Sequence, residues 1–484
     1  MLFCGIDVGT QGARVIFVNR VGEIEARGES SFRNLRLSGL PEGWFEQKPA
    51  DWKEAVSRAT KKAVEVFGGR IDEPLGFGVT STSGTLCVVD ETGNALRPAI
   101  MYSDRRSEQQ AVAAAEAGKT VARKLGYRIK SSYALPKILW IRDNEPEIFD
   151  RAAFFVSPTD FIIGWLTGEW GRTDQTNALK YGYDVVDGRW PKYLFPGLQL
   201  PAEKFPRVQT TGTFVGKIKD EHARELGLTG GAEVVAGLTD GCASQMSSGA
   251  MSPGDFNTTI GTTLVVKAVS RQLLVDPDGR FYCHRHPEGW WWPGGASNTG
   301  AECIEREFKE TEREQFTEVA LESSPTNVLC YPLVGRGERF PFACAEAESF
   351  MVGDPDSRLE LFTSYLEGVA CVERMSVELF EELGGDVGDV VYSAGGGAKN
   401  DAWLQIRADM LNRVVRRPRV TGGAMGAAIV AAAGSSGSIA DAASNMVHFE
   451  REVSPRDQLV KAYEEKYRRF VEVCRNKGYL DDNF

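Results

Sequence analysis

Along the chain, short apolar runs closed by glycine turns alternate with longer stretches whose apolar residues recur every three or four positions. That alternation predicts a layered α/β protein. Leu2 to Asp7 reads as a first strand, Gly9-Thr10 as its turn and Ala13 to Asn19 as a second strand. Arg20 to Gly22 reads as another turn and Glu23 to Ser31 as a third strand. The opening is therefore a meander. A strand–loop–helix opening would hold phosphate at a helix N-terminus; here a hairpin turn takes that part. From Asp51 to Val66 the residues Trp52, Ala55, Val56, Ala59, Ala63 and Val66 keep helical spacing, with Asp51 as the expected N-cap after Pro49. Gly76 to Val79 and Thr85 to Asp90 read as strands, and Asp104 to Leu125 as a long polar helix or helix pair.

The second half restarts the scheme. Glu233 to Ala236 reads as a strand, Leu238 to Gly241 as a turn, and Cys242 to Ser247 as the start of a helix. Asp255 to Ile260 and Leu264 to Val269 read as strands joined by Gly261-Thr262-Thr263. A strand–Gly-Thr–strand unit thus stands near the start of each half, a sign of internal duplication. Leu361 to Leu383 reads as a helix, Val390 to Ser393 as a strand running into Gly395-Gly396-Gly397, and Ala402 to Leu411 as a helix. Gly422 to Ala433 reads as a small-residue helix able to pack closely on a sheet, and residues 455–474 as a final amphipathic helix. No low-complexity linker separates the halves. The joint is placed near Val235 to Asp240, giving domains 1–237 and 238–484.

Composition narrows the function classes. A chain of 484 residues with 42% apolar and 25% charged residues is long enough for two or three globular domains. The net charge of -11 argues against a nucleic-acid partner. The one dense basic run, Arg413 to Arg419, is interrupted by Val414, Val415 and Pro418 and reads as a solvated edge. No apolar run has membrane-spanning or signal-peptide length, so a membrane role is not expected. Nine scattered cysteines without a CxxC pair fit free thiols in a reducing, cytoplasmic setting. Cys283-His284-Arg285-His286 has too few converging ligands for a metal site.

Five segments carry candidate chemistry. In Gly5 to Arg14 the glycines permit a tight turn whose N–H groups face a phosphate, Thr10 and Gln11 add donors, and Asp7 can hold Mg²⁺. Leu238-Thr239-Asp240-Gly241 offers a turn carboxylate able to accept the proton of an attacking hydroxyl. Thr259 to Thr263 is a second phosphate-type hairpin. In Ser393 to Trp403 three glycines let a flat ring approach the backbone, with Asn400 to bond ribose or base and Trp403 to pack nearby; a capping role for Asn400 is the plainer alternative. Thr80 to Thr85 supplies hydroxyls, and Ile100 to Arg105 joins the Tyr102 ring to Asp104, a mix that suits a sugar.

Taken in this order, the motifs resemble the FGGY family of carbohydrate kinases, from the first strand to about Gly434. Gly43 to Trp52 resembles the family's Trp-x-Glu-Gln segment, Leu135 to Trp140 its Lys-x-x-Trp signature (with Ala134 where Ser, Thr or Pro is usual), and Leu366 to Ala370 its second signature. The resemblance implies two actin-like, ribonuclease-H-like ATPase domains with the active site in the cleft between them. It implies ATP and Mg²⁺, with Asp240 as catalytic base and Asp7 serving the metal. Asp7, Ser83, Tyr102, Asp104 and Asp240 would bind the sugar. Thr10, Gln11, Arg14, Gly261, Thr262, Thr263, Gly396, Gly397, Asn400 and Trp403 would bind ATP. Glycerol kinases carry Arg-Glu at the positions of Ser83-Gly84 and typical xylulokinases Met-His; small residues there resemble family members associated with D-ribulose. The expected substrate is a ketopentose, D-xylulose or D-ribulose, with L-ribulose, L-xylulose, erythritol and glycerol as alternatives. Dimers occur in the family, and a homodimer is allowed. An actin-like ATPase binding protein is the non-kinase alternative.

Overall fold

All seven residues of the first strand, Leu2–Val8, are buried. A strand apolar on both faces belongs in the middle of a sheet with layers on either side, and in the computed structural model of the chain that is its place. The structure describes residues 1–35, 37–71, 75–228 and 230–480. By proximity the chain divides into two units. The first comprises Met1–Gly249, His284–Gly289 and Val420–His448; the second comprises Ala250–Cys283, Trp290–Arg419 and Phe449–Phe484. The chain thus returns to the first unit twice after residue 249, whereas the sequence reading divides it once, at 237/238.

Each unit is built on the same sheet. In the first, Ile24–Ser31, Gly12–Val18 and Leu2–Val8 run antiparallel in turn; Leu75–Ser81 lies parallel to Leu2–Val8, and Glu233–Val235 parallel to Leu75–Ser81. In the second, Trp291–Ala296, Leu264–Ala268 and Phe256–Ile260 are antiparallel in turn, followed by parallel Val390–Ala394 and Val414–Pro418. Order and sense agree strand for strand, so the duplication suggested by the two Gly-Thr hairpins extends over five strands per unit.

Parallel strands end on one side of a sheet, and ligands of open α/β sheets bind at those carboxyl ends. In the first unit that side carries Asp7, Thr82 and, after the short parallel strand Leu238–Thr239, Asp240. In the second it carries Gly261 and the glycines after Val390–Ala394.

Several boundaries differ from expectation for local reasons. The first helix is Pro49–Phe67 with Lys48 at its N-cap, so Asp51 lies in the first turn; a proline at the first helical position needs no N–H partner and starts the helix early. The next long helix is Glu108–Leu125, because residues 101–107 fold as turns around a buried Asp104. Asp240 opens the helix Asp240–Ser248 instead of standing in a free turn. The basic run 413–419 is centred on the strand Val414–Pro418, and three of its arginines are ion-paired: Arg413 meets Glu381, Arg416 meets Glu452, and Arg417 meets Asp401 and Glu450. All nine cysteines are free thiols, eight of them buried. Among the described residues no helix is long and apolar enough to cross a membrane.

Glycine fixes how closely the helix Gly423–Ser436 lies on this sheet. A Cβ on Gly5 would stand 1.8 Å from the Ala424 carbonyl oxygen, and one on Gly78 1.9 Å from that of Ala427. On the helix itself, a Cβ on Gly426 would stand 2.0 Å from the Ala243 carbonyl oxygen. Only bare backbone permits these approaches, and they bring the start of the helix against the end of the first strand.

Candidate active site

A cavity of about 650 Å³ opens at the carboxyl ends of the first unit's parallel strands. Its wall includes Asp7, Thr10, Gln11, Arg14, Thr82, Tyr102, Asp240 and Ser244. Asp7 and Asp240, 233 positions apart by their numbers, share this one cavity. The hairpin turn is closed by the Gly9 N–H donating to Gly12 O at 3.0 Å, and Gln47 pins Thr10 by donating to its carbonyl at 2.8 Å. Thr10, Gln11 and Arg14 remain exposed.

The cavity favours an anion beside a cation. Two helices begin on it, Asp240–Ser248 and Gly423–Ser436, and helix N-termini present unpaired N–H groups and positive dipole ends. Gly423 lies so near Asp7 that a Cβ on it would stand 2.8 Å from the carboxyl carbon. Burial, with the charge of Asp240 adding to it, pushes the Asp7 pKa up to about 6, and Arg14 at 3.4 Å offsets only part of this. A cation beside Asp7 would relieve both causes. Among the described residues no group of three or more His, Cys, Asp or Glu side chains could hold a metal ion. The two carboxylates on this wall, Asp7 and Asp240, are a donor set that Mg²⁺ can use, since it takes one or two carboxylates and completes its shell with water and phosphate oxygens.

The remaining residues expected at the sugar end are placed differently from one another. Tyr102 is 37% exposed and lines the cavity, as does Thr82. Ser83 is off the wall, with a buried Oγ. Asp104 does not reach the cavity: its carboxylate is buried, paired with Arg106 at 2.8 Å, and accepts the Phe45 N–H at 2.6 Å. Its part is to hold the 43–46 and 101–106 segments together. Arg106 lies over the Trp44 ring, and Trp44 meets Trp140 edge-on with centroids 5.3 Å apart. The Trp-x-Glu-Gln and Lys-x-x-Trp segments thus meet in one buried cluster. Lys137 in it donates to Ser131 O at 2.6 Å and Tyr133 O at 3.0 Å, and burial pushes its pKa down to about 7.

The second unit holds a cavity of about 300 Å³, lined by Ile260, Gly261, Ile304, Phe362, Gly396, Gly397, Asn400 and Trp403 among others. Apolar walls with few polar groups suit a flat nucleoside. Gly395 takes a φ of +86°, and a Cβ there would stand 2.4 Å from Ile260 O, whereas Gly396 faces open space. The hairpin 261–263 is held from behind by the Ala301 N–H, which donates to Gly261 O at 2.9 Å. Asn400 is the N-cap of Asp401–Leu411, accepting the Trp403 N–H at 2.9 Å, and donates to Thr317 at 2.8 Å. Trp403 is buried and donates to Leu366 O at 3.0 Å.

A fully buried ion pair anchors this loop: Arg407 bonds Glu373 at 2.6 and 2.7 Å and Ser393 at 2.5 Å. Glu373→Ala leaves the guanidinium uncompensated, so it should destabilise the second unit by about 3–5 kcal/mol, which urea unfolding will register. Glu373→Ala with an unchanged unfolding midpoint would remove the pair from this role.

The chain matches the FGGY family of carbohydrate kinases, N-terminal domain, over residues 2–247 and the C-terminal domain of the same family over residues 256–435. The chain belongs to this family. It is a sugar phosphotransferase, and carbohydrate kinases take ATP as substrate. Among relatives of this kinase, a protein named xylulose kinase from Bacillus subtilis is 28% identical over 471 residues, 95% of this chain and 94% of that one. A ribulokinase from Geobacillus thermodenitrificans is 25% identical over 530 residues, 97% of this chain and 93% of its own. The crystal structure of a xylulose kinase from Rhodospirillum rubrum superposes with a TM-score of 0.86 at 25% identity, covering 98% and 99% of the two chains. The two-domain α/β fold implied by the family resemblance is the fold found.

Some lining residues of the kinase went unnoticed in the sequence. The stretch Val420 to Met425 and Ser244 line the first cavity. The Gly422-Gly423 pair before a small-residue helix was a usable signal, since only a glycine start admits a neighbouring carboxylate so closely. Glu305, Arg313 and Phe362 line the second cavity, and nothing in their local sequence marks them.

Proposed function

We propose that this kinase transfers the γ-phosphate of ATP to the terminal hydroxyl of a ketopentose, D-xylulose or D-ribulose. The observation that carries the reading is the sharing of one first-unit cavity by Asp240, Asp7 and the exposed Thr10-Gln11 turn. A general base must stand within reach of the hydroxyl proton it accepts, and Asp240 is assigned that role. Thr10, Gln11 and Arg14 in the first unit are assigned to phosphate, as are Gly261, Thr262 and Thr263 in the second. Gly396, Gly397, Asn400 and Trp403 border the nucleoside. Mg²⁺ at Asp7, when bound, would neutralise charge on the phosphates. Phosphoryl transfer asks the protein mainly for positioning and electrostatic stabilisation. The residues above do this by orienting the acceptor and fixing phosphate oxygens. In this reading 1–237 contributes chiefly to the sugar and 238–484 chiefly to ATP, and the nine free thiols are in keeping with a cytoplasmic enzyme.

Two features support a ketopentose. Relatives across almost the full chain are named for xylulose and ribulose. Gly84, at a φ of +82°, lies so close to the Ser132 carbonyl that a Cβ would stand 2.3 Å from it. No glutamate or histidine side chain fits there, which disfavours a glycerol-type grip and means that a ketopentose would be held otherwise than by the Met-His pair of typical xylulokinases. In a coupled ADP-release assay, D-xylulose or D-ribulose should show the highest kcat/KM among D-ribulose, D-xylulose, L-ribulose, L-xylulose, glycerol and erythritol. Highest turnover with glycerol or erythritol would overturn the substrate assignment.

A further inference from the structure

The three residues before Asp240 place their backbone polar groups among buried hydroxyls. The Gly237 carbonyl accepts from Thr211 Oγ1 at 2.9 Å, and the Leu238 carbonyl from Thr80 Oγ1 at 2.9 Å. Thr159 lies 3.5 Å from the same Leu238 oxygen and is tied to Ser81 Oγ at 2.7 Å. The Thr239 N–H donates to Thr176 Oγ1 at 2.9 Å. All of these side chains are buried, and they come from separate segments of the first unit.

Thr176 differs from the others because it must accept rather than donate. A hydroxyl has one hydrogen, and that of Thr176 goes to Asp174 Oδ1 at 2.6 Å. Asp174 is itself fixed by the Thr176 and Asn177 N–H groups at 2.8 and 3.0 Å and by Asn177 Nδ2 at 2.6 Å. With the carboxylate taking the hydroxyl hydrogen, the Thr176 lone pairs are left for Thr239. A continuous line therefore runs from Asp174 through Thr176 to the Thr239 N–H. Thr239 is the N-cap of the helix whose first residue is Asp240, and its own side chain makes no cap bond to that helix. The geometry of the Asp240 backbone is thus set from outside its helix.

We propose that Asp174 and Thr176 are positioning residues for phosphoryl transfer: by holding the Thr239 N–H they fix where the Asp240 carboxylate points. The proposal rests on the reading of Asp240 as the base. A misplacement of about 1 Å at a reacting group costs about 10²-fold in rate, so losing one hydrogen bond in this line should appear in kcat before it appears in ligand affinity. Asp174 shares its burial with the nearby Asp160 carboxylate, so replacing it disturbs two acids. Thr176→Val, which keeps the shape and removes the hydroxyl, is the cleaner variant, with Thr176→Ser as its rescue.

The test measures kcat and KM for ATP and for the ketopentose in Thr176→Val, Thr176→Ser and Asp240→Asn side by side. Thr176→Val is expected to lose about 10- to 100-fold in kcat with an unchanged KM for ATP, and Thr176→Ser to recover most of that loss. Thr176→Val at the unaltered rate, with Asp240→Asn inactive, overturns the positioning role alone. A serine variant as impaired as the valine one also overturns it, because the methyl group and not the hydroxyl would then matter. Full activity in Asp240→Asn removes the underlying assignment of the base.

Discussion

Asp7→Asn is expected to make the ligand-free kinase more stable at pH 7 while abolishing its activity. Burial and the Asp240 charge raise the Asp7 pKa from 3.8 to about 6. The folded state therefore binds the Asp7 proton more tightly than the unfolded chain does. Between these two values stability falls as pH rises, and above about 6 the full cost of the ionised carboxylate is present. A difference of this size corresponds to about 3 kcal/mol, and removing the charge should recover about 1–3 kcal/mol of it at pH 7. The gain should vanish below about pH 4, where Asp7 is protonated folded or unfolded. Unfolding of both proteins across this range checks the sign. Asp7→Asn less stable than the parent at pH 7 would show that the carboxylate is already compensated without ligand. For catalysis the same shift means that kcat/KM should decline as pH falls through about 6, as Asp7 takes up a proton and ceases to attract a cation.

Asp240→Asn should lower kcat for sugar phosphorylation by about 10²- to 10⁴-fold, the usual contribution of a positioned general base. The amide keeps the side chain's shape and cannot accept the proton as a carboxylate does. Asp240 opens its helix, and its Oδ1 accepts the Gly241 N–H at 2.7 Å; an amide oxygen can take over that bond. The fold should therefore survive, with the change in kcat far larger than any change in the KM of ATP. Steady-state ADP release at saturating ATP and ketopentose measures it, and a loss of less than threefold would take Asp240 out of the chemical step.

How far the sequence foretold this site depended on how far apart the cooperating residues lie. Asp7 stood out because it is the one acid in an otherwise apolar strand. The two hairpins stood out because each repeats a Gly-Thr turn between short strands. The hydroxyl run from Thr80 to Thr85 invited assignment to a sugar, yet Thr80 and Ser81 serve Leu238 and Thr159 instead. Those partners are 158 and 78 positions away, and no local pattern reports such a pairing. Asp104 is bound both by its neighbour Arg106 and by the Phe45 N–H, and the second of these, 59 positions distant, is beyond any local pattern. Asn400 was open to two readings, ligand contact or helix cap; it makes the cap through Oδ1 and also lines the second cavity. The helix Gly423–Ser436 was recognised as a packing element, but its landing point on Asp7 follows from matched glycines on three separate segments, at Gly5, Gly78 and Gly426. Spacing within one segment reveals the element; complementarity between segments decides where it goes.

A single-turnover measurement tests the central assignment most directly, because it isolates transfer from product release. Enzyme in excess over γ-labelled ATP is mixed with saturating D-xylulose or D-ribulose and quenched at short times. The unaltered kinase should move the label to the sugar within its first turnover, and Asp240→Asn should leave it on ATP over the same interval. Equal transfer by both proteins would contradict the account.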